Sequence, residues 1–248
     1  MPAVSIIMPA YNASQTISAS IASILAQTHQ DWELIVVNDQ STDNTVEIIQ
    51  NFTDSRIKLH SNPKNSGTAK TRNHAMAQAQ GKWLAFLDSD DTWHPEKLAT
   101  QLKFAEETEA KITYTATAYV NAQGQKSPYV LSAKKHFTYP DLLRRNLMSC
   151  SSVMVLRDIM EPFPSGYMHE DYVVWLRILK KVGTAYGLNQ PMLIYRMAQG
   201  TKSAGRINSM KMTYAAYKMV GYGKIASVFL TARYAWHSIA KRARIRFE

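Results

Sequence analysis

Four short apolar runs, each followed by a segment of helical spacing and each ending in polar residues, constrain the fold of this chain more than any other feature. Val4–Met8 is rich in β-branched residues and stops at Pro9, and Glu33–Asn38, Ile57–His60 and Lys82–Leu87 repeat the pattern. The segments after them, Ser14–Gln27, Thr42–Asn51, Gly67–Gln80 and Glu96–Glu109, read as helices. The first sets Ile17, Ile21, Ile24 and Leu25 on one face and offers Ser14 as an N-cap; the second uses Val46 and Ile49. Strands that are apolar throughout are covered on both faces. The alternation therefore predicts an α/β fold, a mostly parallel sheet flanked by helices. Right-handed crossovers would gather every strand-to-helix loop at one edge, where ligands of such sheets bind.

After residue 110 the rhythm changes. Lys111–Val120 reads as a strand, Asn121–Gly124 as a turn into Ser127–Leu131, Tyr139–Asn146 as a short helix and Ser151–Leu156 as a strand. Glu170–Val182 reads as a helix and Pro191–Arg196 as a last strand.

Charge divides the chain. Its 29 Lys+Arg and 19 Asp+Glu in 248 residues give a net charge of +10. Residues 1–195 hold 18 of each sign, whereas residues 196–248 hold 11 basic side chains and one acidic one. A neutral body is thus followed by a basic tail. A hydrophobic fraction of 46% with 19% charged residues excludes wholesale disorder. A single cysteine, Cys150, excludes a disulfide framework and fits a reducing compartment. The start reads straight into a strand, which predicts no secretory leader, and the absence of an apolar run of about 18 residues predicts no spanning helix.

Four loops at the expected ligand edge carry unusual residues: Pro9-Ala10-Tyr11-Asn12, Asn38-Asp39-Gln40-Ser41-Thr42-Asp43, Asn65–Asn73 with Lys70 and Arg72, and Asp88-Ser89-Asp90-Asp91. Three acids within four residues repel one another unless a cation sits among them. A hard divalent ion, Mg²⁺ or Mn²⁺, shared with substrate phosphates, fits that need. Taken singly, each loop also reads as a turn or cap; their coincidence at matching strand ends argues for a site.

In order and spacing, these motifs resemble family 2 glycosyltransferases over roughly residues 3–200. The resemblance implies a GT-A, Rossmann-like mixed sheet in residues 1–200, with residues 1–110 binding nucleotide and 111–200 binding acceptor. It implies a nucleotide-sugar donor, usually a UDP-sugar, and inverting transfer to a saccharide. Carried over, it puts Asp39 on the base with Arg72 close by, Pro9, Ala10, Tyr11 and Asn12 along the pocket, Asp88 facing the ribose, and Ser89 among the residues that bind the nucleotide-sugar. Asp90 would hold Mn²⁺ or Mg²⁺, supported by Asp91. The motif His169-Glu170-Asp171 would supply the base, Asp171, with His169 and Glu170 in support or facing the acceptor. The motif of processive members, Q-x-x-R-W, is missing, which implies transfer of one sugar per encounter. A nucleotidyltransferase and a non-catalytic nucleotide-sugar-binding scaffold at the membrane stay open as alternatives.

Residues 201–248 read as C-terminal amphipathic basic helices. Ile207, Met210, Tyr214 and Tyr217 form one stripe; Ile225, Phe229, Ala232, Trp236 and Ile239 form another, beside the basic stripe Arg233, His237, Lys241 and Arg244. Together with Arg242, these predict an interfacial segment on an anionic membrane, with no part for nucleic acid. The whole reading is of a cytoplasmic enzyme, peripheral on the inner face of the membrane, acting on a polyprenyl-linked or other saccharide in surface polysaccharide synthesis.

Overall fold

A computed structural model describes residues 1–166, 169–197 and 206–242, the last stretch with side chains over 209–236. The first half alternates as expected: β1 (Val4–Ala10), α1 (Ile17–Leu25), β2 (Trp32–Asn38), α2 (Thr45–Gln50), β3 (Ile57–Ser61), α3 (Thr68–Ala77) and β4 (Trp83–Phe86). There follow β5 (Thr92–Trp93), α4 (Lys97–Glu107), β6 (Ile112–Asn121), β7 (Lys126–Leu131), β8 (His136–Thr138) and α5 (Tyr139–Leu142). The chain continues through β9 (Met154–Leu156), α6 (Glu170–Val182), β10 (Thr184–Met197), α7 (Arg206–Met219) and α8 (Lys224–Arg242).

One mixed sheet runs in the order β3-β2-β1-β4-β9-β6-β10-β5, with β7 on β6 and β8 on β10. The block β3-β2-β1-β4 is parallel, and Ile6 pairs with both Leu34 and Ala85. β9 then enters antiparallel to β4 and β6. Because β1, β2 and β3 step outward one way and β4 lies on the other side of β1, the carboxyl ends of β1 and β4 flank a topological switch point. The Pro9–Asn12 and Asp88–Asp91 loops emerge there.

Neighbouring residues of one strand feed opposite faces. Ile6, Met8, Leu34, Val36 and Ala85 pack with α1, α2 and α4, whereas Ile7, Ile35, Val37, Leu84 and Phe86 pack with α3 and α6. This two-sided cover explains the unbroken apolar runs. The first residue of α4 is an unusual core residue, wholly buried Lys97, whose Nζ donates to Gln101 Oε1 at 2.7 Å and sits 4.1 Å over the Trp93 ring.

Several local expectations change. Ser14 does not cap α1: Thr16 precedes the helix, and the Ser14 amide donates to Asp43 Oδ2 at 3.1 Å. The last strand begins at Thr184 rather than Pro191, with irregular register between Leu188 and Leu193 that accommodates Pro191. Helix α5 is only four residues long, and Cys150–Ser152 form a tight 3-10 turn before β9.

The tail helices pack on the body. Tyr217 of α7 is fully buried; its Oη donates to the Leu143 carbonyl, and Tyr172 Oη of α6 donates to the Leu142 carbonyl, both at 2.8 Å. Met210, expected on the same stripe as Tyr217, is instead 45% exposed, because Thr213, Ala216 and Tyr217 form the buried face. In α8 the inward face is Ser227, Leu230 and Thr231, and the apolar stripe points outward, with Ile225 89%, Val228 60%, Phe229 68% and Trp236 77% exposed. Arg233, predicted to face the membrane, is half-buried, with its Nε wholly covered. The Lys241 and Arg242 side chains and all of Arg244 lie outside the described residues. Among the described residues no helix is long and apolar enough to cross a membrane.

Candidate active site

The loop after β1 is held by the loop after β2. Asn12 adopts a left-handed φ of 48°; its amide donates to Ser41 Oγ at 3.0 Å and its Oδ1 accepts from the Thr42 amide at 2.8 Å. The Ala13 amide donates to Thr45 Oγ1 at 2.7 Å. Burial pushes the Asp43 carboxyl up, but hydrogen bonds from Thr45 and Ser14 outweigh it and bring the pKa to about 2. Ser41, Thr42 and Asp43 are thus a scaffold that fixes Pro9–Asn12, leaving Tyr11 half exposed above the crevice, at 50%.

Asp39 is buried and tied into the start of α3. Its Oδ1 accepts from Asn62 Nδ2 at 2.7 Å and the Ser66 amide at 2.8 Å, and its Oδ2 accepts from the Gly67 amide at 2.8 Å. Gly67 reaches that position with φ 81°, a conformation that glycine adopts without strain. Asn62, which sequence reasoning missed, also donates to Thr71 Oγ1 and meets His74 Nδ1 at 2.8 Å. Its one visible signal was a polar residue directly after a strand end.

Arg72 projects from α3 toward the acidic loop and α6. Its guanidinium meets Asp88 Oδ1 at 2.5 Å and Glu170 Oε1 at 2.9 Å. The side chain is 5% exposed and lies 5.4 Å from the Phe163 ring. Burial alone would lower its pKa; the charges of Asp88 and Glu170 reverse that and hold it well above the ordinary value. Burial and neighbouring Asp171 push Glu170 up against the pull of Arg72. Next to it, Asn73 clamps the Phe163 backbone, its Nδ2 donating to the carbonyl and its Oδ1 accepting from the amide, both at 2.8 Å.

The acidic loop divides its work. The Asp88 amide donates to Ser151 Oγ at 3.1 Å, and Ser89 O accepts from Thr16 Oγ1 at 2.8 Å, which ties the loop to α1. Asp91 is fully buried; its Oδ1 accepts from the Arg196 amide at 3.0 Å, and its Oδ2 has no hydrogen-bond partner among the described residues. Asp90 is half-buried, and burial and Asp88 push its pKa up to about 6. Among the described residues no three His, Cys, Asp or Glu side chains converge on one point as a protein-only metal cage. The surplus negative charge at Asp90 instead fits a cation held by one carboxylate and completed by substrate phosphates.

At the other wall, His169 precedes α6 with a left-handed φ of 64°, and its Nε2 is buried with no partner among the described residues. Glu170 is committed to Arg72. Asp171 is half-buried, and no donor reaches its carboxylate among the described residues. Tyr172, Val173, Val174, Trp175 and Leu176 anchor the helix in the core, with Trp175 set edge-on to Phe86 and Phe163. Cys150 is buried and free. Helix α8 packs against α7 and sets Tyr234 against the Tyr172 ring of α6.

Parallel strands, a switch-point crevice and an acidic loop at the end of β4 define the GT-A class of fold. Solved structures of that class superpose on it: S. aureus TarS 1-349 in complex with UDP-GlcNAc, with TM-score 0.73 and 19% identity over 93% of this chain and 71% of that one; and the mannosyltransferase PcManGT of Pyrobaculum calidifontis in complex with GDP-Man and Mn²⁺, with TM-score 0.70 and 18% identity over 98% and 75%. The chain belongs to glycosyltransferase family 2, whose sequence profile, "Glycosyl transferase family 2", matches residues 5–160. It is 34% identical over 246 residues to the putative teichuronic acid biosynthesis glycosyltransferase TuaG of Bacillus subtilis, covering 97% of this chain and 98% of that protein. It is 36% identical over 243 residues, covering 97% and 95%, to the Escherichia coli UDP-Glc:alpha-D-GlcNAc-diphosphoundecaprenol beta-1,3-glucosyltransferase WfgD. The chain is therefore a glycosyltransferase.

Proposed function

We propose that this glycosyltransferase moves one sugar, with inversion, from a UDP-sugar to a lipid-linked saccharide at the inner face of the membrane, in surface polysaccharide synthesis. The names of its relatives, which include a UDP-Glc donor and a diphosphoundecaprenol-linked acceptor, support the substrate classes. The observation that carries the mechanism is the Arg72 bridge. By engaging Asp88 and Glu170, it draws together the two segments that carry Asp90 and Asp171, carboxylates that form no direct ion pair among the described residues.

In this reading the Pro9–Asn12 backbone and Asp39 hold the nucleoside, and the Asp88 oxygen not used by Arg72 faces the ribose with Ser89. Asp171 accepts the proton of the attacking acceptor hydroxyl as the new bond to the anomeric carbon forms. The bond from that carbon to the phosphate oxygen breaks, and the nucleoside diphosphate leaves with the electron pair. Asp90 would hold the Mg²⁺ or Mn²⁺, which when bound neutralises the charge building on the leaving diphosphate. Asp91 stays structural, fixing the loop to β10.

The outward stripe of α8 supports membrane association, since the opposite face is already occupied by the body and the chain around it is basic. Incubating the protein with a panel of nucleotide-sugars and a GlcNAc-diphosphate isoprenoid, with and without Mn²⁺, tests the reading. Metal-stimulated transfer from a UDP-sugar with inverted configuration supports it. Retained configuration, or full transfer in chelator, contradicts it.

A further inference from the structure

A second polar cavity lies apart from the acidic loop. It has a volume of about 250 Å³ and is lined by Lys134, Asp141, Arg144, Arg145 and Leu147. Three cations thus face one carboxylate. That carboxylate is already employed: Asp141 Oδ2 accepts from the Thr138 amide and hydroxyl, both at 3.1 Å, in the capping box of α5, and Lys134 Nζ stands 3.8 Å from its Oδ1. Arg144 and Arg145 are exposed and form no ion pair among the described residues. A cavity with this surplus selects an anion with several oxygens, which two guanidinium groups bind in forked geometry.

The wall is rigid where it matters. The Lys134 amide donates to Tyr114 Oη at 2.8 Å, and Tyr114 Oη donates back to the Lys134 carbonyl at 3.2 Å. The strand β10 passes so close that a Cβ on Gly187 would stand 2.2 Å from that carbonyl, so only glycine fits. Sites on fixed backbone hold their geometry without a ligand.

Two connections give the cavity a direction. Leu147 is four residues before Ser151 and so within about 14 Å of it by chain length, and Ser151 Oγ accepts from the Asp88 amide of the acidic loop at 3.1 Å. On the other side, Tyr139 of α5 meets Tyr222, in the turn between α7 and α8, with their hydroxyls 3.3 Å apart. That turn leads into the outward apolar stripe of Ile225, Val228 and Phe229.

We propose that the Lys134–Arg144–Arg145 cavity binds the diphosphate of the acceptor, a diphosphate diester that joins a saccharide to an isoprenoid. The saccharide then extends toward Asp171 and the isoprenoid toward the α8 stripe. The proposal rests on the lipid-linked acceptor reading above and names its recognition site.

The test uses the full chain and two acceptors: GlcNAc-diphosphate on a short isoprenoid, and an alkyl GlcNAc glycoside lacking the diphosphate. Transfer kinetics are measured for the unaltered protein, for Arg144→Gln/Arg145→Gln, for Lys134→Gln, and for Lys103→Gln as a surface-charge control far from the cavity. Melting curves of all four establish that each is folded. The expected result is a KM for the diphosphate acceptor at least 10-fold higher in the double variant and several-fold higher in Lys134→Gln, with no matching rise for the alkyl glycoside or in the control. Binding of inorganic pyrophosphate, measured in parallel, should weaken in the same variants but remain below that of the isoprenoid probe. An unchanged KM in the double variant overturns the proposal. So does pyrophosphate binding equal to that of the isoprenoid probe, which would make the cavity a site for free phosphates. Equal use of both acceptors by the unaltered protein overturns the cavity assignment and leaves the transferase reading standing. Failure of transfer to either acceptor counts against that reading itself.

Discussion

Arg72 on α3 and Glu170 at the start of α6 are 98 residues apart in sequence and 2.9 Å apart in the fold. With Asp88 at the other fork of the guanidinium, the contact links the acidic loop after β4 to the helix that carries Asp171. Arg72→Met would leave two carboxylates facing each other around an empty position. Breaking a buried pair this way costs about 3–5 kcal/mol, a fall in Tm on the order of 10 °C for a chain of this size. Thermal melting should show that fall, and Arg72→Lys, which keeps the charge but not the fork, should lie between the two. An unchanged Tm in Arg72→Met would mean the bridge does not hold the walls together.

Asp39 accepts three hydrogen bonds, two from backbone amides that cannot turn away. Asp39→Asn would direct an NH₂ at donors. Besides a loss of stability of about 1–3 kcal/mol, the KM for the nucleotide-sugar should rise by about 10-fold or more in steady-state assays, one such factor being about 1.4 kcal/mol of binding.

Lys97 gives a pH signature with a defined sign. Burial lowers its pKa from 10.5 to about 7. Between those values the unfolded chain binds more protons than the folded one, so this residue makes stability rise as pH rises through that window. Below about pH 7 the folded lysine is charged and its burial cost is complete. Urea unfolding at pH 6 and pH 9 should therefore show a gain on the order of 2 kcal/mol in the unaltered protein. In Lys97→Met this gain should be missing. An equal gain in both proteins would place its origin elsewhere.

The outward stripe of α8 predicts a membrane phenotype without a folding one. Phe229→Ser/Trp236→Ser changes two side chains that are 68% and 77% exposed, so melting should shift little. Sedimentation with anionic phospholipid vesicles should fall several-fold, and high salt should weaken what remains. Undiminished sedimentation would assign membrane binding to another surface.

Much of this site was legible because the strands that present it are covered on both faces. Val4–Met8, Glu33–Asn38 and Lys82–Leu87 read as apolar runs, and the polar residues at their ends stood out against them. Which partner each polar residue chooses was not legible. Ser41, Thr42 and Asp43 look like part of a ligand loop, yet they hold Asn12 and Ser14 across the register of two strands. Arg72 shares a motif with the Asp39-binding turn, yet the helix aims it at Asp88 and Glu170. In α8 the periodicity revealed an apolar stripe but not its direction, because Ser227 and Thr231 bury themselves by donating within or beside their own helix. The early part of β10 was hidden by Gly187, Asn189, Gln190 and Pro191, which only the neighbouring strands and bulges explain.

Asp171 is the proposed base, and its neighbour Glu170 is held by Arg72. Single-turnover transfer from a bound UDP-sugar, compared between the unaltered protein and Asp171→Asn, tests this most directly. The predicted result is a rate lower by about 10²–10⁴-fold with unchanged donor Kd. A rate within a few-fold of the unaltered protein, or the large loss appearing in Glu170→Gln instead, would contradict it.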